Sequence, residues 1–378
     1  MMAFASVLLC DSGCEEYAVS EAKELLKKTA IMRNSYILIP DCSTYDAAIL
    51  CYRSQLAARV LVLIAEGTMS KPDDIRTQEF LEFNYKDFLK ENGSFRVECE
   101  RTGEHTFQSP DVEMLLGKEL EAKGMHVELK RPDMTIYCRI KNDTYVLGVD
   151  LAGRDLGKRD YKVFHTRQSM RGTTMYAALK AIGYARTNVL VDPCSIDGTI
   201  AIEAALYATR RSPQRFRKDF SFLTMPSFKE TDWNHFFTEQ DGVVAEKTSI
   251  TGFSPLLRGL KMARQNAKLA GVEDAVTLTR CELSWLDTKL EKGSVDIFVT
   301  IPPSSGKANP LKDVEKLQDD LFHQADYSLK RKGIVLLVAE KKAEFLNAAE
   351  RHGFMLSDEK KVWMGGKELL FLKFLKKL

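Results

Sequence analysis

The sequence predicts an α/β protein that changes architecture near residue 165. Two observations carry this. Up to that point short strands and helices mix without a fixed order, and from Met170 onward helix and strand alternate. Regular alternation argues for a mostly parallel, doubly wound sheet. A third observation sets the scale. The 378 residues are 44% hydrophobic and 29% charged, an ordinary globular composition long enough for two to three domains. With 22 Gly and 11 Pro, collagen-like and low-complexity chains are excluded. The net charge of +2 names no partner, so any nucleic acid must bind a local basic patch.

In the first part, Val7–Cys10, Tyr36–Ile39 and Val60–Ala65 read as strands, with helices at Glu15–Lys28, Thr44–Ser54 and Phe80–Lys90. Asn92-Gly93 supplies the stop for the last of these. Phe95, Val97 and Cys99 alternate with Arg96, Glu98 and Glu100, the period of two that a strand requires. Asp111 caps a helix that Gly124 ends, and strands follow at Val127–Leu129, Thr135–Ile140 and Thr144–Val149. A polar, basic stretch runs over 150–165. Beyond it the predicted strands are Asn188–Val191, Lys247–Phe253, Val276–Arg280, Val295–Thr300 and Gly333–Ala339, closed by a hairpin of Phe354–Val362 and Glu368–Phe374. Helices are predicted at Met170–Ile182, Gly198–Thr209, Leu256–Ala270, Asp313–Ser328 and Lys342–His352.

Apolar runs such as Val60–Ala65 and Gly333–Ala339 fall far short of the ~20 residues a bilayer needs, so no membrane association is expected. Met1–Cys10 lacks a basic start and reaches Asp11 too soon for a signal peptide, which points to the cytoplasm. The eight Cys include no C-x-x-C pair and the six His no metal spacing, so no metal is expected.

Ligands of an open α/β sheet bind beyond the carboxyl ends of its strands. Three loops should meet there: 192–199 (Asp-Pro-Cys-Ser-Ile-Asp-Gly-Thr), 252–255 and 300–304. The chain at this point resembles the THUMP-domain RNA methyltransferases, in the branch that methylates N2 of guanosine in tRNA. Cys10–Glu16, Gly103–Ser109, Arg131–Asp133, Leu147–Asp150 through Lys158–Tyr161, Ser169–Thr174, Thr251–Pro255 and Ala263–Val272 carry the resemblance as an ordered set. It implies a ferredoxin-like domain at 1–90, a THUMP RNA-binding domain at 91–165 and a Rossmann-like methyltransferase domain at 166–378. It also implies S-adenosylmethionine as cofactor and tRNA as partner.

The departures from the family fall in those loops. Ile196 stands where the family has a glycine beside the cofactor, a poor fit if positive φ is needed. Phe253 stands where an acidic residue accepts from the ribose, and Phe accepts nothing. Losing such bonds costs roughly 1.5–3 kcal/mol each. Ile301 and Ser304 flank Pro302 and Pro303 where the family has Asn or Asp and then an aromatic residue. The first would orient the target amine and the second would stack on the base. Each change removes a distinct function, which predicts a degenerate catalytic site.

Candidate cofactor contacts are Asp192, Pro193, Asp197, Gly198, Thr199, Ser254 and Glu282. Asp192 either faces the crevice or caps the helix beginning near Gly198, and Thr199 and Ser254 either bind a ligand or cap helices. Candidate RNA contacts are Arg154, Lys158, Arg159 and Lys162, and then Arg210, Arg211, Arg215, Arg217 and Lys218, interleaved with Phe216 and Phe220. The reading is an RNA-binding protein, for tRNA, that positions RNA or pairs with an active protein partner. The alternative is a working S-adenosylmethionine-dependent guanosine-N2 methyltransferase in which Pro302 and Pro303 carbonyls, Asp192 and Asp197 replace the missing contacts. A third possibility is a transferase using the altered pocket for another ligand.

Overall fold

The computed structural model describes residues 2–241, 248–303 and 311–377, the side chains of 311–313 excepted. The chain divides into two compact units.

The first unit comprises Met1–Cys10, Ala18–Leu156 and Phe216–Gln240. Its strands are β1 (Ala3–Leu9), β2 (Ile31–Met32), β3 (Ile37–Ser43), β4 (Arg59–Thr68), β5 (Ser94–Thr102), β6 (His126–Val127), β7 (Met134–Lys141) and β8 (Thr144–Asp150). They form one sheet in the order β2-β3-β1-β4-β8-β7-β5-β6. The sheet is mixed, since β5 runs parallel to β6 and β7 while the other pairings are antiparallel. Val7, Leu9, Leu61, Tyr137 and Val146 pack on one face, the alternate positions of strands that bury one side. Arg59 crosses from β4 to pair with the buried Asp150 and with Glu98 at 2.9 Å.

The helix expected over Phe80–Lys90 is broken. A helix covers Gln78–Glu82, the chain extends at Phe83, and a 3₁₀ turn covers Tyr85–Asp87. On a continuous helix Phe80 and Tyr85 would point about 140° apart. The break lets both bury, and the Tyr85 hydroxyl donates to the Phe80 carbonyl at 3.0 Å.

Residues 216–240 were not legible as part of this unit. They hold the helix Trp233–Gln240 and an aromatic cluster of Phe220, Phe222, Phe228, Trp233, Phe236 and Phe237 with Tyr52. Such rings bury large apolar areas and favour the edge-on contacts seen here.

The second unit comprises Asp11–Tyr17, Gly157–Arg215 and Asp241–Leu378. Its strands are β9 (Leu190–Asp192), β10 (Ile250–Ser254), β11 (Thr277–Arg280), β12 (Val295–Thr300), β13 (Leu329–Ala339), β14 (Phe354–Met364) and β15 (Lys367–Lys376). The order is β11-β10-β9-β12-β13-β15-β14, parallel through β13 and antiparallel in the closing hairpin. The predicted doubly wound α/β architecture is present, and the order reverses between β9 and β12. Helices at Gly172–Ala181, Thr199–Ala208, Leu257–Ala270, Leu311–Ser328 and Ala343–Arg351 accompany it. Lys247, the predicted start of β10, lies outside the described residues.

One ion pair sits in the middle of this unit. Arg159 donates to Glu203 from Nε at 2.8 Å and Nη2 at 3.2 Å, with both side chains fully buried, and the Tyr161 hydroxyl adds a 2.7 Å bond. Gly172 makes room for it, since a Cβ there would meet Glu203 Oε1 at 2.3 Å. Removing one partner of a buried pair strands the other charge. Glu203→Ala is therefore expected to destabilise the protein by about 3–5 kcal/mol, read from the urea unfolding midpoint. A loss under ~1 kcal/mol, the size of a surface pair, would show that the pair does not hold the unit together.

Candidate functional site

The loops after β9 and β12 meet at the reversal of strand order, where a doubly wound sheet offers its crevice. Thr300 at the end of β12 donates to Asp192 Oδ1 at 2.6 Å, and the Cys194 amide lies 3.2 Å from Thr300 Oγ1. The Cys194 amide also reaches Asp192 at 3.3 Å. Asp192 thus ties the two loops and does not cap the following helix. Its complete burial pushes its carboxyl up to about 7, against the pull of Thr300 and the Cys194 amide.

The helix Thr199–Ala208 is instead served by Asp197, whose Oδ1 accepts from the Thr199 amide at 3.2 Å and the Thr199 hydroxyl at 2.6 Å. Lys162 reaches the same place, donating to Thr199 Oγ1 at 2.7 Å and to the Met170 carbonyl, with Asp197 Oδ2 at 3.2 Å. Burial pushes the Lys162 ammonium down from its ordinary value, and Asp197 opposes the shift. Asn266 closes the far side by donating to the Asp197 carbonyl at 3.0 Å. Gly198 takes the one left-handed turn of the loop, at φ +81°, and a Cβ there would come within 2.9 Å of Ala263 Cβ. Ile196 does not have positive φ, so the expected backbone strain falls away.

At the next strand, Phe253 is buried in a core with Val191, Cys281, Phe298 and Phe322, against which Cys194 of the loop after β9 also packs. Strand alternation turns the next residue, Ser254, the other way. Ser254 Oγ lies where a Cβ on Gly259 would meet it at 2.8 Å, beside the Ile196 carbonyl at 3.0 Å. Its hydroxyl donates to the Leu256 carbonyl at 3.4 Å, so it neither caps the helix Leu257–Ala270 by its side chain nor carries a charge. Glu282 is exposed just beyond β11, and Pro193 is buried.

Ile301 and Pro302 line a cavity of about 190 Å³ with Met170, Phe345, Lys341 and Lys367. Ile301 is half-buried, Pro302 buried and Pro303 half-buried, while Ser304 lies outside the described residues. The Ile301 side chain accepts no hydrogen bond.

The basic residues separate. Arg159 belongs to the interior pair, and Lys162 is spent on Asp197 and Thr199, so neither presents its charge to the outer surface as expected. Arg211 is held by Asp274 through bonds of 2.5 and 2.8 Å and also reaches the Gly271 carbonyl. Arg154 sits over the Phe220 ring at 5.3 Å with Asp219 3.0 Å away, and Arg217 bonds the same Asp219 at 2.9 Å. Lys158 and Arg210 are exposed, and Arg215 is half-buried. Phe220 is buried, whereas Phe216 is 70% exposed. Among the described residues no group of three or more His, Cys, Asp or Glu is placed to hold a metal, and no helix is long and apolar enough to cross a membrane.

Comparison with known proteins agrees with this geometry. Residues 159–369 match the RMKL-like methyltransferase domain family and residues 73–150 the THUMP domain. A tRNA (guanine(6)-N2)-methyltransferase of Methanocaldococcus jannaschii is 25% identical over 78% of this chain and 78% of its own length. The ribosomal RNA large subunit methyltransferase K/L of Vibrio parahaemolyticus is 26% identical over 67% of this chain, which spans only 37% of that protein. In fold, the chain superimposes on SMU.472, a methyltransferase-type structure complexed with SAH, with a TM-score of 0.82 over 100% of this chain and 99% of that one, at 18% identity.

Asp192 gives the site a testable pH signature. Its folded pKa near 7 lies above the unfolded value of 3.8, so the folded state binds the extra proton between those limits. Stability therefore falls as pH rises from 4 through 7, by roughly 4 kcal/mol at most. Asp192→Asn is expected to flatten that decline in unfolding free energy measured from pH 4 to 8. An unchanged slope would mean that Asp192 is not the titrating group.

Proposed function

The chain belongs to the RMKL-like methyltransferase family, with a THUMP domain ahead of the catalytic fold, and from that premise we propose that it is a tRNA-binding member whose methyl-transfer site is degenerate. The observation that carries the reading is the wall of the crevice after β12. Ile301 lines it at the position where the resemblance implies an acceptor for the target amine. Orientation of that amine is most of what a protein contributes to such a transfer.

The cofactor S-adenosylmethionine fits the remaining residues poorly. Asp197, in the loop after β9, gives Oδ1 to the amide and hydroxyl of Thr199 and pairs through Oδ2 with Lys162 at 3.2 Å, leaving Oδ2 and the nearby Ser195 Oγ without a hydrogen bond. A cofactor amine at Asp197 would have to share that carboxylate with a cation built into the chain. The strand end that would serve the ribose offers the Ser254 hydroxyl and no carboxylate. Loss of a charge-assisted bond there costs roughly 1.5–3 kcal/mol.

RNA capture is assigned to the THUMP module, taken as 91–165, with the ferredoxin-like segment at 1–90 before it and the methyltransferase domain at 166–378. Lys158 and Arg210, both exposed, are the cations we assign to phosphate. Arg154 and Arg217, which share Asp219, form a second basic point beside Phe216, whose exposed ring suits stacking on an unpaired base.

Gel shift with unmodified tRNA over a salt series tests the binding. Binding should weaken steeply with salt, because phosphate contacts release counterions. Lys158→Glu should weaken it and reduce the salt slope by about one. The same tRNA incubated with labelled S-adenosylmethionine should take up no methyl group. No shift at low salt would refute the tRNA assignment, and methyl incorporation would favour an active guanosine-N2 methyltransferase, the activity named for the Methanocaldococcus relative.

A further inference from the structure

Eight cysteines are scattered through the sequence, and the fold treats one pair differently from the rest. Cys99 on β5 and Cys138 on β7 are direct partners in a parallel pairing that runs from Phe95↔Met134 to Thr102↔Lys141. Adjacent strands lie about 4.8 Å apart, inside the ~4.4–6.8 Å Cα separation that a disulfide spans. Cys138 is fully buried and Cys99 is half-buried.

The surroundings of Cys99 favour a thiolate. Cys138, its partner across the strands, is the main influence that lowers the Cys99 pKa. The Ser109 hydroxyl, at the start of the 14-residue helix Ser109–Ala122, and the Arg101 guanidinium act in the same direction. Burial and Glu113 oppose them. Arg101 is held in place by His105 at 2.9 Å and Gln108 at 2.9 Å. Glu113 is occupied in part by the Cys99 amide, at 2.8 Å. Elsewhere burial pushes the thiols up: Cys42 and Cys194 to about 12, with Cys51 and Cys281 also raised.

We propose that Cys99 and Cys138 form a reversible disulfide, a thiol modification site within the THUMP module, with a hydroperoxide as oxidant. The Cys99 thiolate attacks one peroxide oxygen. The S–O bond forms, the O–O bond breaks, and hydroxide leaves to take up a proton as water. Cys138 then loses its proton and attacks the sulfenic sulfur. The S–S bond forms, the S–O bond breaks, and the departing hydroxide takes the Cys138 proton as a second water. With hydrogen peroxide the sum is two thiols and one peroxide to one disulfide and two waters.

Peptide mapping of the full chain tests this. The reduced protein is treated with hydrogen peroxide, remaining thiols are blocked, and the digest is analysed by mass spectrometry without reduction. The expected product is a linked pair of peptides carrying Cys99 and Cys138, lighter by the two lost hydrogens and separated again by dithiothreitol. In Cys138→Ser, which keeps a hydroxyl donor beside Cys99 and cannot form the bridge, dimedone should label Cys99 ahead of the other cysteines. Recovery of Cys99 and Cys138 as blocked thiols after oxidation, or their pairing with other cysteines, overturns the proposal. The unaltered chain answers the question whether or not the variant folds.

Discussion

Two cations from one short stretch, Arg159 and Lys162, hold the start of the methyltransferase fold in place. Arg159 meets Glu203 in the body of the helix Thr199–Ala208, and Lys162 meets Asp197 and Thr199 at its first turn. Burying charge is costly, and it is tolerated here because each cation finds a carboxylate and further hydrogen bonds. The Tyr161 hydroxyl donates to Glu203 beside Arg159, and the Met170 carbonyl accepts from Lys162. The consequence is a loop after β9 that is closed by the chain itself. Gly198 can turn, Asn266 can hold the Asp197 carbonyl, and Asp192 can reach Thr300 because that framework is already set.

This arrangement links the departures in sequence to the geometry. A loop that serves a bound cofactor leaves polar groups for it to complete. Here Asp197 Oδ1 is taken by Thr199 and Asp197 Oδ2 lies 3.2 Å from Lys162, while that oxygen and Ser195 Oγ make no hydrogen bond, and Ser254 turns to its own Leu256 carbonyl. The crevice after β12 keeps its Pro302 turn but presents the apolar Ile301. On the proposed reading, the fold is retained while its ligand-facing polar groups are used internally or replaced. That outcome is physically reasonable, because core packing and strand pairing do not depend on the residues at the loop tips.

Much of the architecture was legible because it follows from local pattern. The alternation of Phe95, Val97 and Cys99 marks β5, and Val295–Thr300 coincides with β12, since a strand buried on both faces reads as an apolar run. What escaped depends on distant partners. Nothing local says that Phe220 and Phe222 join Tyr52 in the first unit. Nothing local shows that Arg159 turns inward, because Glu203 lies 44 residues on. The burial of Phe253 among Val191, Cys281 and Phe322 likewise depends on residues distant in the chain. The break at Phe83 came from the burial demand of aromatic rings, which outweighs helix propensity. The loops after β9 and β12 do meet at the reversal of strand order, as their place in the alternating pattern implied, and the bonds between them needed the structure.

The most direct test of a self-completed crevice is calorimetric titration of the full chain with S-adenosylmethionine, read beside its thermal unfolding. A loop that already satisfies its own charges should give no binding heat and no rise in melting temperature even at millimolar ligand. At such concentrations a Kd of ~1 μM would stabilise the fold by about 4 kcal/mol. Micromolar binding would contradict the account, because the cofactor would then have displaced Lys162 from Asp197 or found contacts that this geometry does not offer.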